Sequence, residues 1–213
     1  MTMSDGELEV LHKYLGQASH YLEFGSGDST LHAARTPTIK HIDSVESSHQ
    51  YIDENLKTQP EIQQAMADKR IDFHIIDIGE TQNWGYPKDD SKKHLWPNYS
   101  LSVFTQHSQH DLVLIDGRFR VACALSCLLN TPQDCTIMIH DFWNRTKFYL
   151  LLQFFDVQCE VDKLGVFRKK SHLNQDKIKR LLKKYQYIVH DNPLSAKLRR
   201  PFIKKRYRAP KKP

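Results

Sequence analysis

The sequence predicts an α/β protein built on a mostly parallel sheet with helices on both faces, ending in an antiparallel hairpin. Three observations predict it. Short apolar strands alternate with helical stripes from Tyr21 to His140, the rhythm of βαβ units whose strands are buried on both sides. The first strand runs into Gly25-Ser26-Gly27 and opens a helix at Asp28-Ser29-Thr30, a turn that presents free backbone N–H groups to a ligand. Near the far end, Asp156 to Val161 and Leu164 to Arg168 read as strands joined by Asp162 and Lys163 alone. So short a link forces an antiparallel pair.

The elements follow in order. Ser4-Asp5-Gly6-Glu7 is a capping box and Leu8, Leu11 and Leu15 form a helical stripe, so an amphipathic helix precedes the first strand. The second strand is Ile39 to Glu46, followed by a helix that Ser47 or Ser48 caps and that carries Tyr51, Ile52 and Leu56. Ile71 to Asp77 is the third strand, Asp111 to Asp116 the fourth and Cys135 to His140 the fifth, with a helix through Val121, Leu125 and Leu128 before the last. Asn174 caps a helix whose Ile178, Leu181, Leu182 and Tyr185 share one face, with Lys and Arg on the other. A chain of 213 residues with 39% hydrophobic content suits one well-buried domain, expected over residues 1–170, with a basic helix and flexible tail over 171–213.

The glycine turn carries the chemistry. Gly25 and Gly27 present no Cβ, so a ligand can approach the main chain closely. A dinucleotide site would continue as G-x-G-x-x-G, but the third position is Thr30 and an acid, Glu23, stands two residues before the first glycine. A carboxylate there repels a pyrophosphate and attracts an amino group. The string from Glu23 to Ser29 resembles the first motif of class I S-adenosylmethionine-dependent methyltransferases, and Glu46, ending the second strand, matches the acid that binds the ribose hydroxyls in that family. The resemblance implies a Rossmann-like methyltransferase sheet, S-adenosylmethionine as cofactor, and Glu23, Gly25, Gly27, Ser29 and Glu46 as cofactor-binding residues, with Asp77 near the adenine. A nicotinamide oxidoreductase is disfavoured by Glu23 and Thr30.

Ligands of open α/β sheets bind at the carboxyl ends of the strands, where Glu23, Glu46, Asp77, Asp116, His140 and Asp141 fall. Ile115-Asp116-Gly117 and His140-Asp141 are similar to the metal-holding segments of O-methyltransferases, so Asp116 and Asp141 are candidate oxygen ligands for Mg²⁺. Asp116, His140 and Asp141 are the candidate catalytic residues, Asp116 or His140 as general base; a structural His140 bonded to a backbone carbonyl is the competing reading. Trp84-Gly85-Tyr86-Pro87, Trp96-Pro97-Asn98-Tyr99, Asp116 to Arg120 and His140 to Phe142 resemble a small family of methyltransferase-like proteins, loosely similar to methyltransferase family 24, over about Leu22 to Phe167.

The long connection from Gly79 to Asn98 reads as a lid, with Trp84 and Tyr86 as candidate substrate contacts, or as a loop pinned down by its aromatics. Arg118 and Arg120 stand at a helix start, where the dipole disfavours cations. They read either as contacts to an anionic substrate or as partners of Asp141 or Glu46. The expected reaction is methyl transfer to an oxygen of a small or saccharide-like acceptor; the alternative is a non-catalytic cofactor-binding module.

Charge divides the chain. Residues 163–213 hold 18 Lys and Arg against 2 Asp, while the preceding 162 residues carry a net −10. The basic end implies an anionic partner, a membrane surface or a nucleic acid. Cys123, Cys127, Cys135 and Cys159 form no C-x-x-C pair and read as free, mostly buried thiols. The absence of a membrane-length apolar run and of a signal-like N-terminus leads to the expectation of a cytoplasmic protein.

Overall fold

The computed structural model describes residues 3–82, 85–105 and 109–189. Helix α1 (Asp5–Leu15) starts at the expected capping box, with Glu7 N–H donating to Ser4 Oγ and Ser4 N–H donating to Glu7 Oε2. Strand β1 (His20–Phe24) leads through the glycine turn into α2 (Asp28–Arg35), and β2 (His41–Glu46) follows. Ser48 caps the short α3 (His49–Tyr51), which continues as a π-helical turn over Ile52–Leu56. Next come α4 (Pro60–Ala67), started by its proline, and β3 (Ile71–Ile75).

The connection after β3 folds into a small antiparallel hairpin, β4 (Thr81–Gln82) with β5 (Tyr86–Pro87), and then α5 (Pro97–Leu101). Strand β6 (Leu112–Ile115), α6 (Arg120–Asn130) and β7 (Thr136–Ile139) complete the βαβ rhythm. A 3-10 segment (Thr146–Gln153) leads to β8 (Phe155–Val161) and β9 (Leu164–Lys169), and α7 (Gln175–Tyr185) comes last among the described elements.

The seven-stranded sheet has the order β3-β2-β1-β6-β7-β9-β8. Strands β3, β2, β1, β6 and β7 are parallel, while β9 is antiparallel to both β7 and β8. This is the sheet the alternating pattern and the two-residue link predict. One face packs on α1, α2 and α4 through Leu11, Leu15, Ala33, Ile62 and Ala65, the other on α5, α6 and α7 through Tyr99, Ala122, Leu125 and Ile178. The predicted apolar stripe of α7 therefore docks on the sheet domain, with Ile178 and Leu182 buried. Cys123, Cys127 and Cys135 are buried free thiols and Cys159 is half-buried. The anionic-partner expectation rests on the basic region 163–213, of which the part beyond Val189 lies outside the described residues, as does Trp84. Among the described residues no helix is long and apolar enough to cross a membrane.

Strand order reverses between β1 and β6, and there the backbone is pinched. Gly25 has φ +94°, and a Cβ on it would lie 2.6 Å from Cα and N of Gly117. A Cβ on Gly117 would in turn meet the Tyr99 hydroxyl. These two glycines let the β1 and β6 ends pass each other at the floor of a cavity.

Candidate active site

A cavity of about 740 Å³ opens at the carboxyl ends of β1, β2 and β6. Its floor is Gly25 to Ser29 and Asp116 to Arg118, one wall is Glu46, Ser47, Ser48 and Tyr51, and the β4–β5 hairpin adds Thr81, Gln82 and Gly85. Met3 and Leu8 of the N-terminal segment and His32 and Arg35 of α2 close the other side. Leu8, part of the helical stripe read from the sequence, thus faces the cavity.

Gly27 differs from Gly25. A Cβ on Gly27 would find only the Tyr51 hydroxyl within 4 Å, at 3.8 Å, because that position faces the cavity. Glycine there keeps open space that a methyl group would fill. Gly27 also precedes α2, so the first free N–H groups of that helix stand beside this space.

Glu46 is half-buried on the cavity wall. Oε1 accepts the backbone N–H of Ser47 at 2.6 Å and of Ser48 at 3.1 Å, and Oε2 accepts that of Ser26 at 3.3 Å. Three backbone donors thus fix the carboxylate while it still borders the cavity. Tyr51 carries the other polar group of this wall. Burial, then Asp28 and Glu46, raises its phenol above the ordinary value.

Glu23 sits beneath the turn, fully buried, and is not among the residues lining the cavity. It accepts hydroxyls from Ser29 at 2.7 Å, Ser44 at 2.6 Å, Tyr21 at 3.1 Å, and Thr30. Burial pushes its carboxyl up, against the pull of these four hydroxyls. They tie β1, β2 and the start of α2 to one carboxylate, which shapes the loop from below. Ser29, a predicted cofactor contact, lines the cavity and donates to this carboxylate.

Asp77 lies apart. Its side chain is exposed, ion-paired with Lys92 and accepting Gly79 N–H at 3.0 Å, and those partners lower its carboxyl. It does not line the cavity.

On the β6 side Asp116 lines the cavity, but Oδ1 is held by His140 Nδ1 at 2.9 Å and by Arg120 Nη2 at 2.9 Å. Burial pushes this carboxyl up, and Arg120 and His140 more than reverse it, so Asp116 stays below the usual range. His140 is 1% exposed, and its other nitrogen lies 3.4 Å from Oε2 of the buried Glu7. Burial lowers its pKa, yet the hydrogen bond and charge of Asp116 raise it overall. Neither His140 nor Asp141 lines the cavity.

Arg120 explains the rest. It is buried at the start of α6 and donates to the carbonyls of Gly117 (3.0 Å), His140 (2.7 Å) and Asp116 (2.8 Å). Its Nη1 lies 3.6 Å from Asp141, which also takes Arg145 at 2.7 Å. The salt-bridge reading of Arg120 therefore holds, and a guanidinium stands between Asp116 and Asp141. The Mg²⁺ expectation finds no support in this arrangement, because the two carboxylates are already bridged by positive charge. Phe119 and Asp141 have positive φ, +52° and +59°, and these turns aim Arg120 and Asp141 inward.

Arg118 does face the cavity, with its guanidinium stacked 4.3 Å from the ring centroid of Tyr86. Trp96 is 4% exposed, donates Nε1–H to the Ile78 carbonyl at 2.9 Å and packs on Phe119. The long connection is thus anchored by an aromatic, and its hairpin edge reaches the cavity. Tyr51 and Tyr99 are site residues that the sequence reading missed. Tyr51 read only as a helix-face residue; Tyr99 stood in the quoted Trp96-Pro97-Asn98-Tyr99 string without a role.

Comparison with known proteins agrees with this architecture. No family model matches the chain, and no curated protein matches it. A crystal structure of a methyltransferase-like protein (spo2022) from Silicibacter pomeroyi DSS-3 is 28% identical, with a TM-score of 0.72 over 87% of this chain and 96% of that one. Cofactor-bound Rv0187 from MTB shares the fold at 14% identity, with a TM-score of 0.57 over 81% of this chain and 83% of that one. The chain has the class I methyltransferase-like fold that its glycine turn and second acid imply.

Proposed function

We propose that this protein is an S-adenosylmethionine-dependent methyltransferase whose cofactor occupies the cavity above Gly27. The observation that carries the reading is the open Cβ position of Gly27 across from a carboxylate fixed by three backbone N–H groups. Glu46 would accept the two ribose hydroxyls, and the Gly25–Ser29 backbone would run alongside the amino acid portion. Glu23 acts from below by holding that loop in shape. The bound cofactor supplies an activated methyl group, so the chain's own residues mainly align an acceptor.

Asp116 borders the cavity and is the candidate to take the acceptor proton as the new oxygen–carbon bond forms and the carbon–sulfur bond breaks. His140 and Arg120 position it from behind. Because both neighbours keep Asp116 ionised, it is a weak base, and most of the rate would come from alignment. The Arg118–Tyr86 stack suits an acceptor with a planar or anionic part, including a small hydroxylated or saccharide-like one. The anionic partner proposed for the basic end rests on charge alone.

The test is calorimetric titration with S-adenosylmethionine and its demethylated product. Removing one charged acceptor that makes two hydrogen bonds costs on the order of 1.5–3 kcal/mol, so Glu46→Ala is expected to weaken both about 10- to 100-fold. Unchanged affinity in Glu46→Ala would remove the ribose assignment.

A further inference from the structure

A second cluster of charged side chains lies toward the opposite end of the same strands. His41 and Asp43 of β2 and Asp72 and His74 of β3 project from one face, as strand alternation and the pairing of Asp43 with Asp72 require. Asp43 is fully buried. Its Oδ1 accepts His74 Nε2–H at 2.6 Å and its Oδ2 accepts His110 Nε2–H at 2.7 Å. Burial pushes this carboxyl up, but the hydrogen bonds from His110 and His74 hold it far below the usual range.

His41 Nε2 stands between two carboxylates, 3.6 Å from Asp43 Oδ1 and 3.5 Å from Asp72 Oδ2. All three ligand atoms lie within 4.8 Å of one another. Facing two carboxylates, Nε2 carries either its own N–H, which a neutral imidazole supplies, or a metal ion. The spacing favours the metal. A tetrahedral ion with bonds of about 2.0–2.1 Å sets its ligand atoms roughly 3.3–3.4 Å apart, slightly closer than the two separations seen, whereas a proton bridge would draw one oxygen to within about 3 Å.

We propose that His41, Asp43 and Asp72 form a binding site for a borderline divalent metal ion of the Zn²⁺ type. One imidazole and two carboxylates are a donor set such ions accept. His74 and His110 orient the buried carboxylate, the role that hydrogen-bonded neighbours play around metal ligands. Asp72 is 59% exposed, which leaves the fourth position to water from the solvent side. The site joins the edge strand β3 to β2 and so strengthens the sheet flank that supports Glu46. It stands independently of the cofactor reading.

The test uses the full chain stripped with a chelator and titrated with ZnCl2 by calorimetry, beside thermal melting. One ion per chain is expected, with a raised melting temperature. Affinity should fall at least about tenfold in His41→Gln and in Asp72→Asn, whose side chains are partly or largely exposed, since even neighbours of metal ligands are worth about 10- to 100-fold. It should stay the same in His12→Asn, which removes the exposed His12–His32 contact of 2.9 Å. No binding, equal binding in His41→Gln and Asp72→Asn, or loss only in His12→Asn would overturn the proposal. Co²⁺ loading of the wild-type chain gives a readout that needs no variant. An intense visible band of a four-coordinate ion supports the site, and the weak spectrum of the hydrated ion contradicts it.

Discussion

The two halves of the cavity rim use their charges in opposite ways. At the β1–β2 half, Glu46 is fixed by backbone N–H groups and still borders the cavity, and Gly27 leaves open space in front of it. At the β6–β7 half, His140, Arg120 and Asp141 turn inward and bond to one another, to Glu7 and to Arg145, leaving Asp116 and Arg118 on the cavity side. A strand-end position does not by itself give a side chain access to a ligand. Direction decides, and here two positive-φ residues, Phe119 and Asp141, set it. One half leaves its carboxylate beside open space; the other holds Asp116 at the cavity edge within a buried network of charges.

The halves meet where Gly25 crosses Gly117, and breaking that crossing should have the largest effect. Gly25→Ala adds a Cβ 2.6 Å from backbone atoms at a positive φ that alanine disfavours. A destabilisation of about 4 kcal/mol or more, or insoluble protein, is expected. Denaturant unfolding or the soluble yield reads this; a near-native midpoint would show that the crossing relaxes easily.

The inward half comes next. Arg120→Met leaves Asp116 and Asp141 without their shared cation in a buried site, which typically costs about 3–5 kcal/mol. Equilibrium unfolding checks this. If stability is unchanged, the β6–β7 charges are not the structural unit described.

A smaller, pH-dependent effect should come from His140. Its proton is held more tightly in the folded chain, beside Asp116 and near Glu7. Its contribution is therefore complete below the ordinary imidazole value of about 6.5 and fades as pH rises through the raised folded value. The stability gap between wild type and His140→Asn should be wider near about pH 6 than near about pH 9. A gap that widens with pH would reverse the assignment. Asp116 and Asp141 have lowered values, so their contribution is present above about 3.9 and is lost only as pH falls through still lower values.

The same contrast separates what the sequence reveals from what it hides. Gly25, Gly27 and Glu46 are legible because strand, glycine turn and helix start are consecutive in the chain, and the end of the next strand is a fixed offset away. The sheet is legible for the same local reason, down to the β8–β9 hairpin with its two-residue link. The inward turn of Arg120 and Asp141 depends on backbone twists that no residue type announces, since Phe119 and Asp141 are not glycines. Glu23 looks like a ligand contact in sequence but lies under its own loop, because Ser44 and Thr30 reach its carboxylate from another strand and from α2. Tyr51 and Tyr99 reach the site only through packing between segments far apart in the chain.

The central claim is that the space above Gly27 belongs to a ligand rather than to the fold, and one substitution tests it. Gly27→Ala would place a methyl group in open cavity at an extended φ of 176° that alanine tolerates. Calorimetric titration of this variant with the demethylated product of S-adenosylmethionine, with melting of the same sample, reads both sides of the claim. Stability within about 1 kcal/mol of wild type is expected, with affinity lowered at least about tenfold, or about 1.4 kcal/mol. Wild-type affinity in a fully folded Gly27→Ala would contradict it.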